Sequence, residues 1–251
     1  MRVLVTNDDG IHAKGIEVLA KSLGRIAEVT VVAPEIERSA VGHGITLNNP
    51  LRVDKVYKSQ KFFGYAVNGT PADCVKISVG AIMEHKPDVV FSGINNGANT
   101  GTDAIYSGTV SAAIEGAMVD ICSVAISVSR VGGSRFDYAG EYVLKLIETL
   151  AEKGFPKLLL NVNIPSIPAD EIKGVRLTRQ GRVRFRDYFD KRQDPSGRTY
   201  YWLTGELTDS EEGTDIDSTA VKEGYVSITP IHYDLTDEKL LEQLRDWNFE
   251  K

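Results

Sequence analysis

The chain is poor in cysteine: Cys74 and Cys122 are the only two in 251 residues. Each sits among apolar neighbours in a segment that reads as buried, so both are expected to be small core residues of a reducing compartment, with no disulfide. Long apolar runs are missing as well, and none approaches the roughly 20 residues that a membrane-spanning helix needs. The first residues enter a strand with no leader pattern, so a cytoplasmic protein without a membrane partner is the expectation. Positive charge is not in excess either. A net charge of −6 argues against general nucleic-acid binding. No internal repeat or low-complexity segment interrupts a composition of 42% hydrophobic and 25% charged residues, which is ordinary for a chain that buries a full core.

What is present begins at once. Val3-Leu4-Val5 is a short apolar run, Thr6-Asn7-Asp8-Asp9-Gly10 a polar turn closed by glycine, and Gly15-Ile16-Glu17-Val18-Leu19 the start of a helix. A β-branched run, a turn and a helix make the first βα unit of a parallel sheet. Ligands of such sheets bind beyond the carboxyl ends of the strands, which is where Asp8 and Asp9 fall. Adjacent carboxylates repel each other and are seldom buried without a partner, so a cation is a natural third member. The alternative is that one aspartate caps the helix and the other is solvated.

Strands and helices then alternate. Strands are expected at Glu28 to Ala33, Asp88 to Ser92, Val124 to Val128 and Leu158 to Ile164, with extended segments near Leu51 to Val56 and Phe62 to Val67. Thr70-Pro71-Ala72-Asp73 opens one helix with an N-cap, a first-turn proline and an acidic residue at the positive dipole end. Ser107-Gly108-Thr109 opens another, and Tyr138 to Lys153 is amphipathic. The alternation predicts an α/β fold with a doubly wound, mostly parallel, Rossmann-like sheet over residues 1–170. Residues 171–251 read as an extension: a β-hairpin, a returning strand at Tyr225 to Ile231 and a final helix opened by Thr236-Asp237-Glu238. In it Arg176, Arg179, Arg182, Arg184, Arg186 and Arg192 crowd with Phe185, Tyr188 and Phe189. The acidic run Glu206, Asp209, Glu211, Glu212, Asp215 and Asp217 follows them. Such a mixture makes either a charged hairpin packed on itself or a neighbour, or a nucleic-acid surface.

Three loops fall at carboxyl ends of strands and offer Asp8, Asp9, Ser39, Asn95 and Asn96, all oxygen donors. Hard oxygen ligands suit Mg²⁺, Mn²⁺ or Ca²⁺ and disfavour structural zinc. The helix start at Ser107-Gly108-Thr109 adds hydroxyls and free amides at a positive dipole end, which is either a phosphate site or an ordinary cap. His12 and His43 lie in the same loops, where each either donates a proton to a leaving alcohol or bonds its own loop.

Together, V-T-N-D-D-G, E-R-S-A-V-G-H, N-G-T-P-A-D-C-V, S-G-I-N-N-G-A-N and Y-S-G-T-V-S-A-A-I-E-G-A resemble, in order, the SurE family of metal-dependent survival-protein nucleotidases. The resemblance continues through R-L-T-R-Q-G, Y-Y-W-L-T-G-E and D-S-T-A-V-K-E-G-Y-V-S-I-T-P-I-H. It implies a phosphatase acting on nucleoside 5′- and 3′-monophosphates and on short polyphosphate. It implies one divalent ion per subunit, Mg²⁺ or Mn²⁺, on Asp8, Asp9, Ser39 and Asn95, with Asp8 and Asp9 catalytic. Phosphate contacts carry over to Asn96, Ser107, Gly108 and Thr109, and assembly as a homodimer or homotetramer to the extension. A nucleotide-sensing regulator that binds in the same pocket without turnover is the competing reading. A phosphatase of the haloacid-dehalogenase type is disfavoured, because that chemistry uses D-x-D spacing and Asp8 and Asp9 are adjacent.

Overall fold

A computed structural model describes residues 1–130, 135–182, 184–208 and 213–249. The chain runs β1 (Arg2–Thr6), α1 (Lys14–Leu23), β2 (Glu28–Pro34), β3 (Val53–Lys58), β4 (Lys61–Val67), α2 (Pro71–Ile77) and β5 (Val89–Asn96). It continues through α3 (Asp103–Tyr106), α4 (Gly108–Met118), β6 (Cys122–Val128), α5 (Phe136–Glu152) and β7 (Leu159–Ile164). β8 (Val175–Leu177), β9 (Arg184–Gln193), β10 (Thr199–Thr208), α6 (Asp217–Lys222), β11 (Val226–Pro230) and α7 (Glu238–Leu244) complete it.

Nine strands form one sheet in the order β3-β4-β2-β1-β5-β6-β7-β11-β8. From β4 to β7 every neighbouring pair is parallel. β3 on β4 and β11 on β7 are the antiparallel exceptions. The central strands β1, β5, β6 and β7 are buried along most of their length because both faces are covered. Val3 and Val5 enter the core under α1 and α5, whereas Leu4 between them enters the core under α2. From β1 the chain winds one way through β2 and β4, then returns to β5 on the other side of β1. That reversal opens a crevice between β1 and β5 at their carboxyl ends, the place where open α/β sheets bind ligands.

The expected helix start at Thr70 is present as a full capping box: the Thr70 hydroxyl accepts from the Asp73 N–H, and the Asp73 carboxylate accepts from the Thr70 N–H. Cys74 and Cys122 are buried free thiols on opposite faces of the sheet.

Two sequence expectations change. β5 does not stop at Ser92 but runs to Asn96, because the ladder to β6 resumes after an irregularity at Gly93 and Ile94 and pairs Asn95 with Ser127. Gly93, at φ +140°, is required there: a Cβ would meet the Ile126 carbonyl oxygen at 2.3 Å. The returning strand, β11, is also no separate feature, since it joins the main sheet beside β7 and carries β8 on its other edge. The hairpin itself is β9 paired with β10 in a two-stranded sheet of its own.

Candidate active site

The turn after β1 is tightened by Asn7, whose buried side-chain amide donates to the Gly10 carbonyl at 3.0 Å. Gly10 closes it at φ +93°, a backbone that only glycine adopts without strain. Asp8 and Asp9 are thereby set at the sheet edge, beside β5.

Asp8 is 5% exposed, and the first turn of α4 stands over it. The Thr109 hydroxyl donates to Asp8 Oδ1, and the Thr109 N–H donates to the same carboxylate. This approach depends on Gly108, where a Cβ would come within 2.7 Å of Asp8 Cβ and 3.1 Å of Pro71 Cγ. Burial raises the Asp8 carboxyl above the usual range while the Thr109 hydrogen bonds work against it. Asp9 is raised by burial first and by the neighbouring Asp8 charge second. The Asn96 N–H, donating to Asp9 Oδ2 at 3.2 Å, partly offsets both. Among the described residues no lysine or arginine forms an ion pair with either aspartate. The Arg130 charge only partly relieves Asp9, so a buried and a half-buried carboxylate side by side without an ion-pair partner form an incomplete electrostatic unit.

Asn95 donates its side-chain amide to the Gly97 carbonyl at 2.7 Å, which leaves its amide oxygen free to accept. Ser39 is exposed on the loop between β2 and β3, where its hydroxyl donates to Glu37 Oε1 at 2.5 Å. Among the described residues no three of His, Cys, Asp and Glu converge on one point. A cation here would therefore rest on two carboxylates completed by neutral oxygens, a donor set for a hard divalent ion.

A cavity of about 910 Å³ joins Asp8, Asp9, Ser39, Asn95, Asn96 and Ser107. Gly108 and Thr109 lie behind that wall. The Thr109 side chain is fully buried and committed to Asp8, so the structure places it beneath a carboxylate rather than against the cavity. Gly108 makes room for Asp8. Ser107 does line the cavity, while its hydroxyl also accepts from the Val110 N–H at 3.2 Å as the cap of α4. His12 and His43 do not line it: His12 is exposed, and His43 bonds Glu115 on α4 at 2.9 Å rather than its own loop. Thr109→Val should consequently lower the affinity for Mn²⁺ as well as the melting temperature, because a buried carboxylate loses a donor at about 1–3 kcal/mol. Calorimetric titration checks this, and unchanged affinity would show that Asp8 needs no help from α4.

Sequence reasoning missed three supports. Arg130, just past β6, lines the cavity and donates from Nε to the Asn96 carbonyl at 2.6 Å. The same carboxyl-end rule points to it, one strand further on. Asn99 is buried and pinned from below: its N–H donates to Asn163 Oδ1 at 2.7 Å, and its carbonyl accepts from Asn161 at 2.8 Å. Two asparagines at alternate positions of the buried strand Leu159–Ile164 are the sequence signal for such a bond. Asp217, fully buried, accepts from the Gly101 N–H at 2.9 Å and the Gly181 N–H at 3.0 Å, tying the extension to the same loop.

Three of the six arginines of the cluster are paired in place. Arg176 meets Glu223 at 2.5 Å, Arg179 meets Asp215 at 2.8 Å and Arg192 meets Asp190 at 2.7 Å. Asp209, Glu211 and Glu212 lie outside the described residues.

The family model described as survival protein SurE matches residues 3–187, from β1 into the hairpin. The chain belongs to the SurE family. A protein named 5′-nucleotidase SurE from Syntrophobacter fumaroxidans is 49% identical over 99% of this chain and 100% of its own. One of the same name from Heliobacterium modesticaldum is 48% identical over 98% of this chain and 92% of its own. The crystal structure of a SurE protein from Aquifex aeolicus superposes with a TM-score of 0.84 at 38% identity, covering 97% of this chain and 98% of that one. The match to SurE relatives thus extends through the C-terminal extension as well as the sheet. No helix among the described residues of this SurE-family chain is long and apolar enough to cross a membrane.

Proposed function

We propose that this chain is a divalent-metal-dependent phosphatase that hydrolyses nucleoside 5′- and 3′-monophosphates to nucleoside and phosphate, with short polyphosphate as a further substrate. The observation that carries the proposal is the pair Asp8 and Asp9: adjacent, the first buried and the second half-buried, in no ion pair among the described residues, and placed at the switch point of the sheet on the wall of a large cavity. The SurE relatives named 5′-nucleotidase support the substrate class. Nothing favours the regulator that binds without turnover.

In this reading Asp8, Asp9, Ser39 and Asn95 hold one Mg²⁺ or Mn²⁺ per subunit. Such an ion, when bound, neutralises phosphate charge and makes water a better nucleophile. The protein's own part is positioning. Thr109 and Gly108 fix Asp8, and the Asn96 N–H fixes Asp9. Asp8 and Asp9 are the catalytic carboxylates. Asn96, Ser107 and Arg130 line the cavity as donors for the phosphate oxygens, and fixed donors of this kind act mainly in the transition state. Phosphate release from a panel of 5′- and 3′-mononucleotides and tripolyphosphate, with and without added metal, tests the activity. Binding without release by the metal-loaded protein would leave only the regulatory reading.

We further propose action in the cytoplasm, which the two buried free thiols support, and self-association through the hairpin. Phe189 and Leu203 are cross-strand partners, and both are exposed, with Trp202 and Tyr201 beside them. An isolated two-stranded hairpin is marginal in water, so this surface is suited to a second copy. Sedimentation should give a dimer or tetramer, and Phe189→Glu with Leu203→Glu should shift it toward monomer. A native monomer would end that proposal.

A further inference from the structure

Glu115 takes no part in the site described above, yet it is an unusual residue. It is a carboxylate with a side chain only 4% exposed, two turns into a helix that carries no other charged residue. Lys76 of α2 reaches one of its oxygens at 2.6 Å, and His43 reaches the other at 2.9 Å. Burial acts to raise this carboxyl, but the hydrogen bonds from His43 and Lys76 hold it below the usual range.

His43 belongs to the loop between β2 and β3, an exposed segment without regular structure that carries Ser39. The loop is fastened on both sides of Ser39. Before it, the Arg38 N–H donates to the Asp8 carbonyl at 2.7 Å. After it, the Gly42 N–H donates to the Tyr106 carbonyl at 3.0 Å, and His43 meets Glu115. Between the fastenings Ala40 sits at φ +56°, a left-handed backbone that costs a residue with a Cβ about 1–2 kcal/mol. A turn of that kind persists only where its ends are held. α4 therefore touches the site twice. Its first turn fixes Asp8 through Thr109, and Glu115, six residues and about 9 Å further along the axis, fixes the segment bearing Ser39.

We propose that Glu115 and His43 form a latch that positions Ser39 relative to Asp8, with α4 as the rigid spacer between them. Both are positioning residues, since neither touches the cavity. The inference rests on the metal reading of Asp8, Asp9, Ser39 and Asn95, and it adds what sets the distance across that donor set. His43→Ala is the variant of choice, because His43 is exposed and Glu115 keeps Lys76 as its partner, so no buried charge is orphaned.

Two measurements test the latch. Calorimetric titration with Mn²⁺ should show affinity weakened roughly tenfold or more in His43→Ala, the scale seen when groups that orient metal ligands are removed. His43→Gln, which keeps a donor, should restore most of it, and Lys76→Met should stay within about twofold of wild type. Hydrogen exchange of residues 35–47 in the metal-free protein should be faster in His43→Ala than in wild type. Wild-type affinity in His43→Ala, equal weakening in Lys76→Met, or unchanged exchange would each overturn the latch. Failure of the wild type to bind Mn²⁺ would instead overturn the metal reading, and the positioning role with it.

Discussion

Asp9→Asn should lower phosphate release from a nucleoside monophosphate by on the order of a thousandfold while the protein melts no earlier than wild type. The two halves follow from one arrangement. Asp9 is a carboxylate raised by burial and by the Asp8 charge beside it, so in the metal-free fold it is a source of strain rather than of stability. Asparagine keeps an oxygen for the Asn96 N–H, which now donates at 3.2 Å, and removes the repulsion. Function loses what stability gains, as expected where a site holds like charges together for a purpose. Removing one fixed charge that acts on the transferring phosphoryl group costs roughly 4 kcal/mol, the size of the expected drop. Steady-state kinetics and a thermal melt of the same preparation check it. Near-normal turnover, or a melting temperature well below wild type, would make Asp9 a structural residue.

Gly15→Ala should be among the most damaging single methyl groups in the molecule. Inside an exposed helix, alanine in place of glycine gains up to about 1 kcal/mol. Here the new Cβ would lie 1.9 Å from the Ile94 carbonyl oxygen and 2.9 Å from the Ile94 carbonyl carbon. Both are backbone atoms, so no rotamer relieves the overlap. Either α1 lifts from the sheet or the end of β5 shifts, and that end carries Asn95 and Asn96. The overpacking cost exceeds the propensity gain, with a net loss of roughly 3 kcal/mol, or about 9 °C in melting temperature for a chain of this size. Turnover should fall at least tenfold, since a displaced donor loses most of its effect. A melting temperature at or above wild type would show that the contact between α1 and β5 is loose.

What could be read from the sequence divides along a physical line. Local chemistry was legible. The apolar Val3-Leu4-Val5, the turn through Gly10 and the capping residues Thr70, Pro71 and Asp73 each announce their conformation within a few residues. The place of Asp8 and Asp9 at the carboxyl edge of the sheet was legible because the carboxyl-end rule needs only strand order. The end of β5 was not. Gly93 and two asparagines look like a loop, and only pairing with β6 keeps Asn95 and Asn96 in the ladder. The role of Thr109 was likewise hidden. Its place at a helix start is local information, but its partner is 101 residues away. β11 read as a strand, while its seat beside β7 depends on tertiary packing that no short stretch records. Glu115 illustrates the same limit, since its two partners lie 72 and 39 residues distant in the chain.

The most direct test of the account is the location of Mn²⁺ by anomalous diffraction from crystals soaked in the metal. The account predicts one peak per subunit, bounded by Asp8, Asp9, Ser39 and Asn95 at oxygen-ligand distances of about 2.0–2.4 Å. A peak bound elsewhere, or none there in a preparation that still releases phosphate from a nucleotide, would contradict it.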